Sequence, residues 1–401
     1  MRPFEGIRVI DFTQVIAGPY CTYQLAALGA DVIKLEQPGT GDQGRRLMAP
    51  TPAARDAGMS ALFSAVNSGK RSLTLDLKHP EARPVVERLV ANADVVVENF
   101  KAGTMERLGL GPDVLMAANP KLIYCAISGY GQSGPRAGAA AYDPVVQAAS
   151  GMMSVNGYDD TGPTKVGFWV VDMTTGMNGA FAVASALYRR QQTGQGERID
   201  VAMLDTAVSL MSPLIGLFLN YGVEPGFTGN GVPGSGGSST VYPTKDGHIT
   251  VAAATDQQFA AMTTEIGRPD MASDPRFSSR EARLENAETY RAAIIEAMSA
   301  DTAERWEARL AAVGVPAGRN QRIPELPNDA QLRHREVFAE LPPAPGLGAP
   351  FQAVNVGFKL QTNGPSIDRS PPAVGEHSEE VLAEFGYTTD EIRGLRETGL
   401  V

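Results

Sequence analysis

The chain has 401 residues, 35 Lys and Arg against 45 Asp and Glu, and a formal net charge of −10. That length predicts about two to three domains and a core that needs no covalent staple, and the acidity argues against a nucleic-acid partner, which requires a basic face. Two cysteines and four histidines, with no CxxC or HExxH, leave disulfide frameworks, structural zinc and two-metal hydrolysis poorly supported. Met1–Gly6 carries no apolar signal region and no membrane-length apolar run occurs, so a cytoplasmic protein without a membrane span is expected.

In chain order, Ile7–Phe12 is a β-branched run and reads as a strand. Gly18–Leu28 is Ala- and Leu-rich, reads as a helix, and stops at Gly29. Strands follow at Asp31–Leu35 and Leu73–Leu77, then a helix over Pro80–Ala93, with both prolines near its first turn. Asp94–Glu98 and Leu122–Ile127 complete a βαβ pattern, which predicts a parallel sheet with its ligand at the carboxyl ends of the strands. Phe168–Val171 reads as another strand leading through Asp172 into a helix over Met173–Gln192, broken at Gly194-Gln195-Gly196. Ile199–Leu219 is apolar and expected to be buried. Asn230–Thr240 is a Gly/Ser loop, and Tyr242–Val251 reads as a hairpin turning at Asp246-Gly247. Further helices follow, with Asp301, Ser378 and Thr388 as N-caps, and Pro342–Pro350 reads as a linker.

Several residues could carry chemistry. Glu36 ends a strand as a ribose-binding acid would, but the preceding loop, Thr13–Pro19, lacks GxGxxG, so NAD is disfavoured. Ser68-Gly69-Lys70-Arg71-Ser72 could hold a phosphate, although a solvated turn is the commoner role for such a run. Asp172 stands at a strand-to-helix junction, where Asp is a frequent N-cap and where the helix dipole favours the carboxylate anion. Asp143, before Pro144, is a rival carboxylate whose ordinary role is a cap or turn. His79, His248, His334 and His377 read as surface or satisfied histidines, and Ser-His-Asp chemistry lacks its GxSxG elbow.

The segments Gly6–Thr13, Ala17-Gly18-Pro19, Leu28–Glu36, Asn67–Leu77, Val97–Phe100, Ser128–Gln132, Gln191–Glu197 and Gly375-Glu376-His377 together resemble the class III CoA-transferases. The resemblance runs over nearly the whole chain. It implies an α/β fold with a large Rossmann-like domain made from residues 1–224 and 326–401, and a smaller α+β domain over 225–325. It also implies an interlocked homodimer, with acyl-CoA and a carboxylic acid as substrates and no metal, NAD or ATP. Carried over by position, the nucleophile falls on Asp172 and the CoA contacts on Ile16, Ala17, Leu75, Lys78, Asn99, Phe100, Arg107 and Leu108. Tyr142 falls beside the acyl group and the glycine loop on Gly234, Gly236 and Gly237, interrupted by Ser235. Gln37 and Ala140 stand where members using formate and oxalate carry an arginine and a lysine, which disfavours those substrates.

The implied reaction passes through an aspartyl anhydride and an aspartyl-CoA thioester. All its nucleophiles are anions, so a chain poor in histidine suits it. It needs oxyanion stabilisation and exclusion of water, for which the helix start after Asp172 and the Gly234–Gly237 loop are the candidates. Racemisation of an α-methylacyl-CoA is an alternative within the same family. That branch places a histidine where this chain has Tyr142, whose pKa near 10 makes a poor base. A non-catalytic acyl-CoA-binding protein is a further alternative, and would have no need of Asp172. The contexts of Tyr142-Asp143 and of Val241–Phe259 resemble members that handle succinyl-CoA and other dicarboxylates.

Overall fold

Six strands rich in Val and Ile build the principal sheet: β1 (Arg8–Asp11), β2 (Asp31–Glu36), β3 (Arg71–Thr74), β4 (Val95–Glu98), β5 (Ile123–Ser128) and β6 (Glu197–Ala202). Their order is β3-β2-β1-β4-β5-β6, and every neighbouring pair is parallel. Alternate side chains enter two cores. Ile10, Ile33, Leu73, Val96 and Tyr124 fill one, and Val9, Val32, Val95, Ile123 and Cys125 the other. A parallel sheet buried on both faces requires such apolar runs.

Helix α1 (Ala17–Ala27) covers the second face. Helix α2 (Ala82–Ala91) covers the first, together with the C-terminal helices Ser378–Glu384 and Thr389–Glu397, through Val381, Leu382 and Ile392. The strand order reverses between β1 and β4. In doubly wound sheets the crevice at that reversal, outside the strands' carboxyl ends, is where ligands bind. Three further helices matter to the site: α3 (Asp143–Ala149), α4 (Val170–Thr193) and α5 (Met203–Leu210).

The computed structural model describes residues 1–231 and 239–401, divided into two units. The first comprises Met1–Met152, Lys165–Ile215 and Ala330–Val401, and contains the parallel sheet. The second comprises Met153–Thr164 and Gly216–Asp329. Its antiparallel sheet has strands β7 (Ser239–Pro243), β8 (His248–Ala252) and β9 (Ala317–Arg319) in the order β9-β8-β7. The β7–β8 hairpin is closed by a hydrogen bond from Thr244 N–H to Gly247 O at the expected Asp246-Gly247 turn. Its core gathers Tyr242, Ile249, Phe259, Tyr290 and Trp306.

Local expectations fail where tertiary contacts override sequence pattern. Phe168-Trp169 is a loop, not a strand, and α4 begins at Val170. Ile199–Leu219 is not one buried segment. It supplies most of the edge strand β6, then α5, then the helix Ser212–Tyr221, where Phe218 and Leu219 are exposed. Pro342–Pro350 is irregular, as expected of a linker, and joins two antiparallel strands, β10 (Phe338–Leu341) and β11 (Phe351–Val354). Thr302, one residue after Asp301, caps its helix, and His377 occupies the cap position before Ser378. Thr388 is the expected cap, paired with Glu391 in a capping box. Among the described residues no single helix is long and apolar enough to cross a membrane.

Candidate active site

The loop between β1 and α1 is fixed from below by buried charges. Asp11, at the end of β1, accepts hydrogen bonds from Thr13 N–H (2.8 Å) and Thr22 Oγ1 (2.7 Å), and pairs with Lys70 Nζ at 3.0 Å. Lys34 Nζ donates to Thr13 O at 2.6 Å and pairs with Asp42 at 2.8 Å. Asp42 Oδ1 in turn accepts the N–H of Val15 at 3.0 Å. Val15 has φ of 70°, a left-handed conformation that is costly for a β-branched residue. Such strain persists only where surrounding bonds over-determine the backbone, and this network supplies them.

That network removes two sequence-based readings. Lys70 is buried, bonded to Asp11, Pro19 O and Asn67, and Arg71 is paired with Asp31, Glu380 and Glu384. They form neither a phosphate cradle nor a solvated turn. Glu36 is no ribose acceptor, because Arg45, Ser72 and the Asp42 N–H occupy its carboxylate.

Across the strand reversal, Asn99 follows β4 and bonds the main chain of Gln14 in both directions. Gln14 N–H donates to Asn99 Oδ1 and Asn99 Nδ2 donates to Gln14 O, each at 2.8 Å. No side chain caps the N-terminus of α1. A Cβ at Gly18, in its first turn, would lie 2.4 Å from Thr13 Cβ, so only glycine fits there.

Helix α4 crosses α1 closely. A Cβ at Gly176 would lie 2.6 Å from Ala17 O, so the missing side chain is what lets the two helices touch. This contact brings the first turn of α4, with Asp172, beside the start of α1. Asp172 is the third residue of α4, not its N-cap, and the actual cap position, Trp169, offers no side-chain bond. Asp143 fills that role from α3. Its Oδ2 accepts from Val171 N–H at 2.8 Å and Asp172 N–H at 3.1 Å, and its Oδ1 accepts from Gln147 Nε2 at 2.6 Å. Val170 N–H and Met173 N–H reach Phe168 O and Trp169 O. The helix start after Asp172 therefore has no free donor for an oxyanion, contrary to the sequence-based expectation. Nor does the helix dipole keep Asp172 in the ordinary carboxylate range. Burial, and after it the charge of Asp143, push its carboxyl up to about 7.

A cavity of about 350 Å³ opens at the strand reversal. Gln14–Ala17 line it from the loop after β1, Asn99–Ala102 from that after β4, and Ile127–Gly131 and Gly138–Tyr142 from the end of β5 and beyond. Gln43, Asp172 and Met203 complete the wall. It joins six of the expected site residues: Ile16, Ala17, Asn99, Phe100, Tyr142 and Asp172. Leu75 lies in the core, Leu108 packs against that core, and Lys78 and Arg107 are exposed, so none of these four lines the cavity. Gly234, Gly236 and Gly237 lie outside the described residues. Sequence reading missed Gln14, Lys101 and Tyr130, and gave Asp143 only a local role. The strand reversal, visible only once the sheet order is known, is the signal that collects them.

A family model described as CoA-transferase family III matches residues 4–378. A succinate–glutarate CoA-transferase of Agrobacterium fabrum is 37% identical over 96% of this chain and 96% of its own length. A succinyl-CoA:mesaconate CoA-transferase of Haloarcula marismortui is 36% identical, over 97% of this chain and 98% of its own. Among solved structures, a CAIB/BAIF family protein from Brucella suis superposes with a TM-score of 0.85 at 34% identity, over 96% of this chain and 99% of its own.

Proposed function

The chain belongs to CoA-transferase family III, and from that premise we propose that it moves CoA from an acyl-CoA donor of the succinyl-CoA type to a carboxylic acid, through covalent intermediates on Asp172. The observation that carries this reading is the position of Asp172. It is the one carboxylate among the described residues lining a cavity at the strand reversal, and it stands beside an uncapped helix start.

The Asp172 carboxylate attacks the thioester carbonyl, the C–S bond breaks, and CoA leaves as thiolate from a mixed anhydride. The thiolate then attacks the aspartyl carbonyl. The anhydride C–O bond breaks, the donor acid departs as its carboxylate, and an aspartyl-CoA thioester remains. The acceptor carboxylate attacks that thioester and expels CoA thiolate, leaving a new anhydride. The thiolate attacks the acceptor's acyl carbon, which releases the new acyl-CoA and the Asp172 carboxylate. Each nucleophile arrives as an anion, so no general base is required. The first-turn N–H groups of α1, at Ala17 and Gly18, take the oxyanion role in this reading, since those of α4 are occupied.

Leu75, Lys78, Arg107 and Leu108 follow the carboxyl ends of β3 and β4, on the sheet edge that a CoA chain leading away from Asp172 would cover. The exposed cations Lys78 and Arg107 suit its phosphates. Lys101, in the cavity wall, suits the distal carboxylate of a short dicarboxylate, the substrate class named for both relatives. A homodimer is supported by the exposed stripe Met177, Phe181 and Tyr188 on α4, whose spacing lies on one helical face.

A donor-by-acceptor screen, read by the mass of each new acyl-CoA, tests the reaction. Asp172→Ala should bind CoA and transfer none, and transfer at the wild-type rate by that variant overturns the assignment. Exchange of α-hydrogen into a chiral 2-methylacyl-CoA in deuterated buffer, without acceptor acid, would instead mark a racemase.

A further inference from the structure

Asp143 precedes Pro144 in the first turn of α3, where local sequence gives it nothing more than a turn or a cap to its own helix. Its carboxylate serves another element. Oδ2 accepts the N–H groups of Val171 and Asp172 in α4, and Oδ1 is held by Gln147, whose own Oε1 accepts Val166 N–H at 2.8 Å. The residue is 2% exposed.

We infer that Asp143 is a positioning residue for the nucleophile: it replaces the missing side-chain cap of α4, fixes the backbone from which Asp172 enters the cavity, and holds a negative charge against the Asp172 carboxylate. The inference rests on reading Asp172 as the nucleophile. A neutral cap such as Ser or Asn would satisfy the same two N–H groups, so the charge has a separate consequence. With burial, it pushes the Asp172 carboxyl up to about 7.

Other groups near Asp172 do not supply this charge. Lys101 from the loop after β4, and Tyr130 and Tyr142 from the segment after β5, share its cavity, while Tyr20 and Cys21 of α1 face Gly176, one turn further along α4. Asp205 of α5 is exposed, and β5 and β6 meet α4 further along, around Gly179, Val183 and Leu187. Asp143 is the buried carboxylate among these groups.

The test titrates Asp172 directly, in full-length protein labelled with carboxyl-¹³C aspartate, its resonance assigned by its loss in Asp172→Asn. Asp143→Asn keeps an acceptor for both N–H groups, at the cost of the Gln147 bond, and removes the charge, so the midpoint should fall by about one pH unit or more, and the acid limb of succinyl-CoA/succinate exchange should move with it. Asp143→Leu removes the cap as well, and amide hydrogen exchange at Val171 and Asp172 should quicken by about tenfold or more. An unchanged midpoint in Asp143→Asn overturns the proposal, as does unchanged exchange at both amides in a folded Asp143→Leu. These readouts are separate from the nucleophile assignment, which fails if Asp172→Ala still transfers CoA while the Asp143→Asn shift is intact.

Discussion

Gln14 and Asn99 hold each other across the strand reversal by two hydrogen bonds of 2.8 Å, one in each direction between the Asn99 amide and the Gln14 main chain. The pair ties the loop after β1 to the loop after β4, and both residues line the cavity. Asn99 is therefore a brace for the site before it is a contact for any ligand. Asn99→Ala leaves two main-chain groups of Gln14 unpaired, at a cost of about 1–3 kcal/mol. Urea unfolding should show that loss, and kcat/KM for CoA transfer should drop by about tenfold or more as the loop drifts. Asn99→Asp keeps the bond from Gln14 N–H but sets a carboxylate oxygen against Gln14 O, so it should not restore the wild-type level.

The buried pair Lys70–Asp11 makes the second test. Lys70 also donates to Pro19 O and Asn67, so its ammonium ties three segments together under the strained loop. Lys70→Met strands Asp11 as a buried charge and should cost about 3–5 kcal/mol. The double variant Lys70→Met, Asp11→Leu removes both charges and should recover part of that loss in thermal unfolding. Recovery of stability without recovery of transfer would show that the pair's service is to the shape of Gln14–Ala17.

Close approach of two helices sets the third. Because a Cβ at Gly176 would meet Ala17 O at 2.6 Å and Cys21 N at 3.0 Å, Gly176→Ala must push α4 from α1. Both neighbours are backbone, which cannot rotate away. Overpacking of this kind costs about 1–3 kcal/mol, and it also moves Asp172 relative to the start of α1. Transfer should therefore fall further than the loss of melting temperature alone explains. Gly394, in the helix Thr389–Glu397 at a position where an added Cβ meets nothing within 4 Å, is the control: Gly394→Ala should leave transfer unchanged.

How far the sequence alone reaches follows from these cases. Val95-Val96-Val97 and Ile123–Ile127 declare buried parallel strands because their side chains are apolar on both faces. Asp172 is legible as a carboxylate near a helix start, and the family resemblance selects it. Its cap is not legible, because Asp143 lies 29 residues away and only tertiary structure brings the two together. Lys70 and Arg71 mislead for the same reason: their acidic partners Asp11, Asp31, Glu380 and Glu384 are distant in sequence, so two satisfied cations look like free ones. Strand β6 is obscured because Glu197, Arg198 and Asp200 interrupt its apolar pattern, as an edge strand permits.

The last expectation concerns pH and joins catalysis to stability. The folded chain holds the Asp172 carboxyl up at about 7, against an ordinary 3.8. Between those values the folded state binds a proton that the unfolded chain has released. Stability therefore falls as pH rises from about 4 to about 7, and the full penalty persists above that. Asp172→Asn abolishes the proton exchange. It should match wild type near pH 4 and exceed it at pH 8, by about 1–2 kcal/mol after allowance for the partial exposure of the site. Transfer runs the other way. The nucleophile must be ionised, so kcat/KM should rise with pH through an apparent pKa near 7 and then level off. Denaturant unfolding of both proteins at pH 4, 6 and 8, set beside the wild-type rate profile, checks the two limbs together. A rate profile already flat at pH 5, or an Asp172→Asn variant no more stable at pH 8 than at pH 4 relative to wild type, would mean that this carboxylate is not held at the basicity on which the nucleophilic role and the Asp143 charge depend.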